Sequence, residues 1–177
     1  VGETAARPQT NTPTLAELSY PTMELYAMPA ATQSLLDDSV VNIDQWLAET
    51  VDIDPDGQYS EKSTAVYSPI VDRCLLTMAR LLDRPALRDP VRRNLEMTLY
   101  YAHPDGDVAT EASLRQDRYQ RGSLSRYYVP YRSLAIEEGD GRFAAMARAI
   151  EGSAGSQLAG ELPAFLEIPT LQRDMPP

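Results

Sequence analysis

A chain of 177 residues, 43% hydrophobic and 24% charged, is long enough for one domain with a real core and too apolar to read as disordered. Its 16 basic and 26 acidic residues give a formal charge of −10, which argues against partners such as nucleic acid or an anionic membrane surface. A single cysteine, Cys74, excludes an internal disulfide framework, and a single histidine, His103, leaves neither a zinc cluster nor a His-based triad.

Residues 1–33 carry Pro8, Pro13, Pro21 and Pro29 among threonines and alanines, and are expected as an extended lead-in with at most a short helix near 15–26. The start at Val1 leaves room for a removed leader, and no run approaches the apolar length of a membrane span. From residue 34 the signal is helical. "SLLDDSVVNIDQWLAE" (34–49) places Leu36, Val40, Ile43 and Leu47 on one face. The stretch that follows, "DIDPDGQYSE", puts Asp52, Asp54, Asp56 and Gly57 at positions one, three, five and six of a calcium loop. Position twelve is Ser63, so the bidentate clamp is missing and no metal or other cofactor is expected.

A second helix is predicted over 64–82, with Tyr67, Val71, Cys74, Leu75, Met78 and Leu82 in one broad apolar stripe that would bury Cys74. Asp89 and Pro90 give the start of a third, to about residue 102, with Val91, Leu95 and Leu99 inward and Arg92, Arg93 and Glu96 solvated. Further helices are predicted over 124–136, 142–150 and 157–167, leaving 168–177 as a tail or linker. Pro69, Pro130 and Pro163 should mark late starts or kinks. Six helices and no convincing strand make the chain all-α.

One internal repeat stands out: "DPDGQYSEKS" (54–63) recurs as "HPDGDVATEAS" (103–113). Pro-Asp-Gly and Glu-x-Ser recur, whereas Asp52 and Asp54 have no counterparts. The shared part is therefore turn and capping chemistry, suited to a type I turn, rather than ion binding. Recurrence in both copies also turns Asp56 with Glu61, and Asp105 with Glu111, away from a hydrolytic carboxylate pair. His103, in the slot of Asp54, is expected to cap helix carbonyls rather than to catalyse.

A Pro-Asp-Gly turn, a Glu a few residues on, then an aromatic entering a long helix ("PDGQYSEKSTAVYSPIVDRCLLTMARLL") resembles the hairpins of the α/α toroid in heparinase II/III-like and alginate lyase-type polysaccharide lyases. The resemblance spans residues 34–167 and implies about three helical hairpins of an incomplete toroid, with the rest of the ring and a β-sandwich domain as its partners. It implies β-elimination on an acidic, uronate-containing polysaccharide, with Tyr67 moving the proton. The Asn/His motif that neutralises the uronate in such enzymes is not visible here, so an active site would be incomplete. Two alternatives stand beside it: a toroidal glycoside hydrolase, or a non-catalytic helical-repeat binding module. For Tyr67 itself, the plainer reading is a packed core residue.

The most informative local stretch is "LRQDRYQRGSLSRYYVPYR" (114–132), where five arginines oppose a single Asp117. Guanidinium forks pair with carboxylates and aromatic faces cover sugar rings, so Arg115, Arg118, Tyr119, Arg121 and Arg126, with Tyr59 from the first turn, form the candidate substrate-binding set. The competing reading puts Tyr127, Tyr128 and Tyr131 in the core and pairs the arginines with the many carboxylates. For those three tyrosines the core reading is preferred. The loop 113–123 is expected at the same rim as residues 58–63.

Overall fold

The computed structural model describes residues 51–177 and, before them, Asp37, Asp38, Val40–Asn42, Asp44, Gln45, Ala48 and Glu49. The chain divides into two compact units, Val1–Thr50 and Val51–Pro177. In the first, the described residues 37–48 are helical; the lead-in 1–33 and the face formed by Leu36, Ile43 and Leu47 lie outside the described residues.

The second unit is mostly helical, as the periodicity requires. Helix α1 runs Tyr67–Leu81, α2 Arg88–Thr98, α3 Tyr128–Glu138, α4 Gly141–Ala154 and α5 Leu162–Glu167. Short 3-10 segments of three, four and seven residues lead into α2, α3 and α5 respectively. The all-α expectation needs one amendment, a two-residue antiparallel ribbon of β1 (Asp107–Val108) and β2 (Gly122–Ser123).

Local chemistry sets the boundaries. Asp140 caps α4, its carboxylate accepting from the amides of Arg142 at 2.8 Å and Phe143 at 3.3 Å. The Arg142 guanidinium, bonded to the same carboxylate, helps hold the Asp140 pKa below its usual value. Gly139, with φ of 71°, supplies the left-handed residue that ends α3. The core lies where α3 and α4 pack together and α1 and α2 pack against α3: Val91, Leu95, Tyr131, Leu134, Phe143 and Ile150 are almost fully buried. Tyr131 meets Phe143 edge-on at 5.5 Å and Tyr127 at 6.3 Å. The helical spacing of Tyr127, Tyr128 and Tyr131 thus marks core, as the sequence suggested.

Helix α1 departs from expectation. Its buried residues are Ser68, Pro69, Asp72, Leu75 and Ala79, while Ile70, Cys74 and Leu81 are exposed. Cys74 is therefore a surface thiol, not a core one. The side of the helix that faces inward mixes small, polar and aliphatic residues, and Asp72 on it accepts from the buried Tyr59 hydroxyl. Residues 168–177, expected as a tail, lie against α3 and α4: Leu171 is buried, Arg132 donates to the carbonyls of Leu171 and Arg173, and Arg148 donates to that of Pro176.

Candidate functional site

The two Pro-Asp-Gly segments fold into turns of the same geometry. Gly57 and Gly106 have φ of 95° and 89°, and their amides donate to the carbonyls of Asp54 and His103, each at 3.1 Å. A second bond closes each turn, from the Asp54 amide to Gln58 and from the His103 amide to Asp107. One-residue bridges, Ile53 with Tyr59 and Ala102 with Val108, flank them. The Asp54 carboxylate accepts from the Gln58 amide at 2.8 Å, an Asx contact within the turn.

After each turn the chain runs to a serine, and the two serines meet. Ser63 and Ser113 both donate to Asp117 Oδ2, at 3.0 and 3.1 Å, and the Ala65 amide adds a third bond at 3.0 Å. Asp117 is buried, so the one acidic residue of the arginine-rich stretch anchors the loop around it. Further bonds hold the loop: the Leu114 amide to the Lys62 carbonyl at 2.7 Å, the Gln120 amide to Asp117, and the Thr110 hydroxyl to the Gln120 carbonyl. As expected, 113–123 therefore lies beside the end of the first turn.

What this frame presents to solvent is specific. Leu114, Arg115, Gln116, Arg118, Tyr119 and Arg121 are exposed while Ser113 and Asp117 are buried beneath them. Tyr119 is 69% exposed and held at φ of 58°, a left-handed conformation that costs a residue with a Cβ roughly 1 kcal/mol or more. The Arg118 guanidinium lies 4.9 Å from the Tyr119 ring centre and that of Arg115 lies 5.4 Å from the Tyr67 ring centre. Gln116 donates to the Tyr67 hydroxyl at 3.1 Å. Arg115 pairs with Glu61 at 3.2 Å and Arg121 with Asp107 at 2.6 Å, both open to solvent. Exposed pairs of this kind are weak and screened by water, so a ligand carboxylate can compete for either guanidinium.

The remaining candidates go elsewhere. Tyr59 is buried and donates its hydroxyl to Asp72 at 2.8 Å, so its ring is not offered to a ligand. Arg126 is exposed, on the 3-10 turn that precedes α3, with no ion pair among the described residues. Tyr67 is half-buried at the start of α1, its ring against Arg115.

Asp72 is the residue that sequence reasoning missed. It is fully buried, and burial pushes its pKa well above the usual carboxylate value, against which the hydrogen bond from Tyr59 acts. Burial likewise raises the phenols of Tyr59, Tyr127 and Tyr131; each stays protonated and donates, to Asp72 and to the carbonyls of Thr64 and Leu95 respectively. One signal was available: Asp72 is the only acidic residue in the 15-residue sequence of α1.

Fold and site together define a helical protein with an exposed, rigidly backed arginine–tyrosine loop. Among families, residues 1–53 match the Phage capsid family. No curated protein and no solved structure matches the chain. These findings overturn the resemblance to heparinase II/III-like lyases. Its span was to begin at residue 34, yet 34–50 belongs to a separate unit and lies within the capsid-family match. What carried the likeness in the second unit was Pro-Asp-Gly turn chemistry, which serves any hairpin.

Proposed function

We propose that residues 51–177 form a non-catalytic helical binding module that holds an acidic oligosaccharide on the 113–121 loop. The observation that carries the reading is the loop itself: Asp117 fixes it from beneath through three hydrogen bonds, and its outer side offers Arg115, Gln116, Arg118, a strained Tyr119 and Arg121. Pre-organised guanidinium groups suit carboxylates, and an exposed tyrosine ring suits the apolar face of a sugar. The buried tyrosines serve as structural donors, which favours binding over proton transfer. The likeness of the two Pro-Asp-Gly turns supports a hairpin repeat as the framework of the module.

Calorimetric titration with oligogalacturonate tests this. Binding should be measurable, should weaken at high salt, and should fall at least tenfold in Arg115→Ala/Arg118→Ala. Equal affinity of the double variant and the parent would remove the proposal.

A second reading is favoured by the match over residues 1–53: the chain is a structural protein whose first segment takes part in a phage capsid-type assembly. Sedimentation of the full chain distinguishes the two, since assembly predicts particles far heavier than a 19.6 kDa monomer.

A further inference from the structure

The outer sides of α1 and α5 make one apolar face. Of the eight large apolar side chains left exposed among the described residues, four lie here: Ile70 and Leu81 on α1, Leu162 and Leu166 on α5. Two ion pairs bridge the helices and show that they run in the same direction, Arg73 with Glu161 at 2.9 Å and Arg80 with Glu167 at 2.7 Å. These pairs also leave the face without net charge. Asp72, the one other charged residue of α1, is buried on the opposite side, and the segment 155–170 has no charged residue besides the two glutamates. The negative excess of the chain therefore lies elsewhere.

The spacing on this face reads the same in both directions. The exposed residues of α1 are Ile70, Cys74, Thr77 and Leu81, at intervals of four, three and four, which align them as one seam along the helix. A two-fold axis through the middle of the seam, between Leu75 and Leu76, sets Ile70 against Leu81 and Cys74 against Thr77 of an antiparallel copy. The ion pairs fix the height of α5 beside this seam. Glu161 is level with Arg73 and Glu167 with Arg80, so Ala164, midway between Leu162 and Leu166, is level with the middle of α1. The same axis therefore sets Leu162 against Leu166 of the copy.

We infer that this face pairs two copies of the chain, α1 on α1 and α5 on α5, about that two-fold axis. Symmetry and charge both select a second copy as the occupant. In a chain of net charge −10 the acidic surfaces of two copies repel, whereas here every guanidinium already has its carboxylate and the contact brings no unpaired charge. The inference deepens the assembly reading, and rests on it for the choice of a second copy over a different protein. The face is two helices wide and about 22 Å long, the low end for a specific interface, so the pairing is micromolar. Below that concentration the copies are apart and Cys74 is an open thiol.

Sedimentation velocity of the full chain, from submicromolar to high micromolar concentration, tests the pairing. The parent should pass from 19.6 kDa to twice that mass. Leu81→Glu/Leu166→Glu changes side chains that are exposed in the single copy, so it should keep the helical circular dichroism and melt of the parent while pairing at least tenfold more weakly. Tyr100→Glu, at an exposed side chain outside this face, should pair as the parent does. Thr77→Cys places a second thiol opposite Cys74 of the copy, and mild oxidation should then join two chains through Cys74 and the introduced thiol. A monomer at every concentration overturns the pairing, whether Cys74 is then open or covered by the chain itself. A dimer that the double variant forms as tightly as the parent, or one in which the introduced thiol does not join to Cys74, overturns it as well. A dimer lost in the double variant, with no heavier species in the parent, supports the pairing and removes the assembly reading. Particles far heavier than a dimer keep the assembly reading; they support the pairing if the double variant reverts to monomer and overturn it if the double variant forms them unchanged.

Discussion

The hydroxyl of Ser63 donates to Asp117 Oδ2 across 54 positions of sequence, and that oxygen also takes bonds from Ser113 and from the Ala65 amide. Removing the carboxylate in Asp117→Ala would leave buried donors unpaired at about 1–3 kcal/mol each, before any rearrangement. We expect Asp117→Ala to lower stability by roughly 2–4 kcal/mol in urea unfolding, placing it among strongly destabilising substitutions. Asp117→Asn, which retains an acceptor, should lose less. A variant as stable as the parent would show that the loop does not depend on this anchor.

Gly57 and Gly106 share a left-handed backbone but not the same surroundings. A Cβ on Gly57 would stand 2.3 Å from the Arg93 carbonyl oxygen, which belongs to the backbone of α2 and cannot turn aside. A Cβ on Gly106 would meet the Ser153 side chain, with its oxygen at 2.5 Å. Both substitutions carry the conformational cost of a positive φ, about 1 kcal/mol. Gly57→Ala should therefore reduce the melting temperature more than Gly106→Ala, and Ser153→Gly should recover part of the second loss and none of the first. Equal losses at the two sites would contradict the steric difference.

Much of the framework was legible because it obeys local rules. The turns at Gly57 and Gly106 follow from Pro-Asp-Gly, and the tyrosines at 127, 128 and 131 follow from helical spacing. What was not legible depends on distant pairs. Asp117 reads as the one negative charge in a positive stretch, and only the fold brings Ser63 to it. For Arg115 and Arg121 the sequence leaves open a ligand site or pairing with carboxylates, and only the fold supplies the partners, Glu61 and Asp107, each from one of the turn segments. In α1 the apolar periodicity points to the whole stripe as the inward face, whereas the fold turns Ser68 and Asp72 inward beside Leu75 and Ala79, with the Tyr59 hydroxyl bonded to Asp72.

The buried Asp72 makes stability depend on pH in a direction opposite to the usual acid denaturation. Its folded pKa lies above the unfolded value of about 4. Between those two values the native state binds more protons than the unfolded chain, so stability falls as pH rises. The contribution is fully present below about pH 4 and is lost progressively toward the raised folded value. Asp72→Asn should flatten this dependence and unfold at higher temperature than the parent at neutral and alkaline pH. Parallel profiles of melting temperature against pH for the two proteins would show that burial does not raise the Asp72 pKa in the folded state.

The outward face of α1 offers a direct test of the helix orientation. Cys74 lies on the same side as Ile70 and Leu81, which are 44% and 52% exposed, and opposite Leu75 and Ala79, which are 1% and 3% exposed. A thiol buried in a core reacts only through opening of the fold, whereas a surface thiol reacts in the native state. Cys74 should therefore be modified completely by a small aromatic disulfide under native conditions, at a rate that adding urea up to its unfolding midpoint changes by less than about tenfold. The modified protein should keep its helical circular dichroism and its cooperative melt. Protection of Cys74 by several orders of magnitude in the native state would mean that α1 is rotated, with its apolar stripe inward, and would at the same time remove Asp72 from the tyrosine cluster.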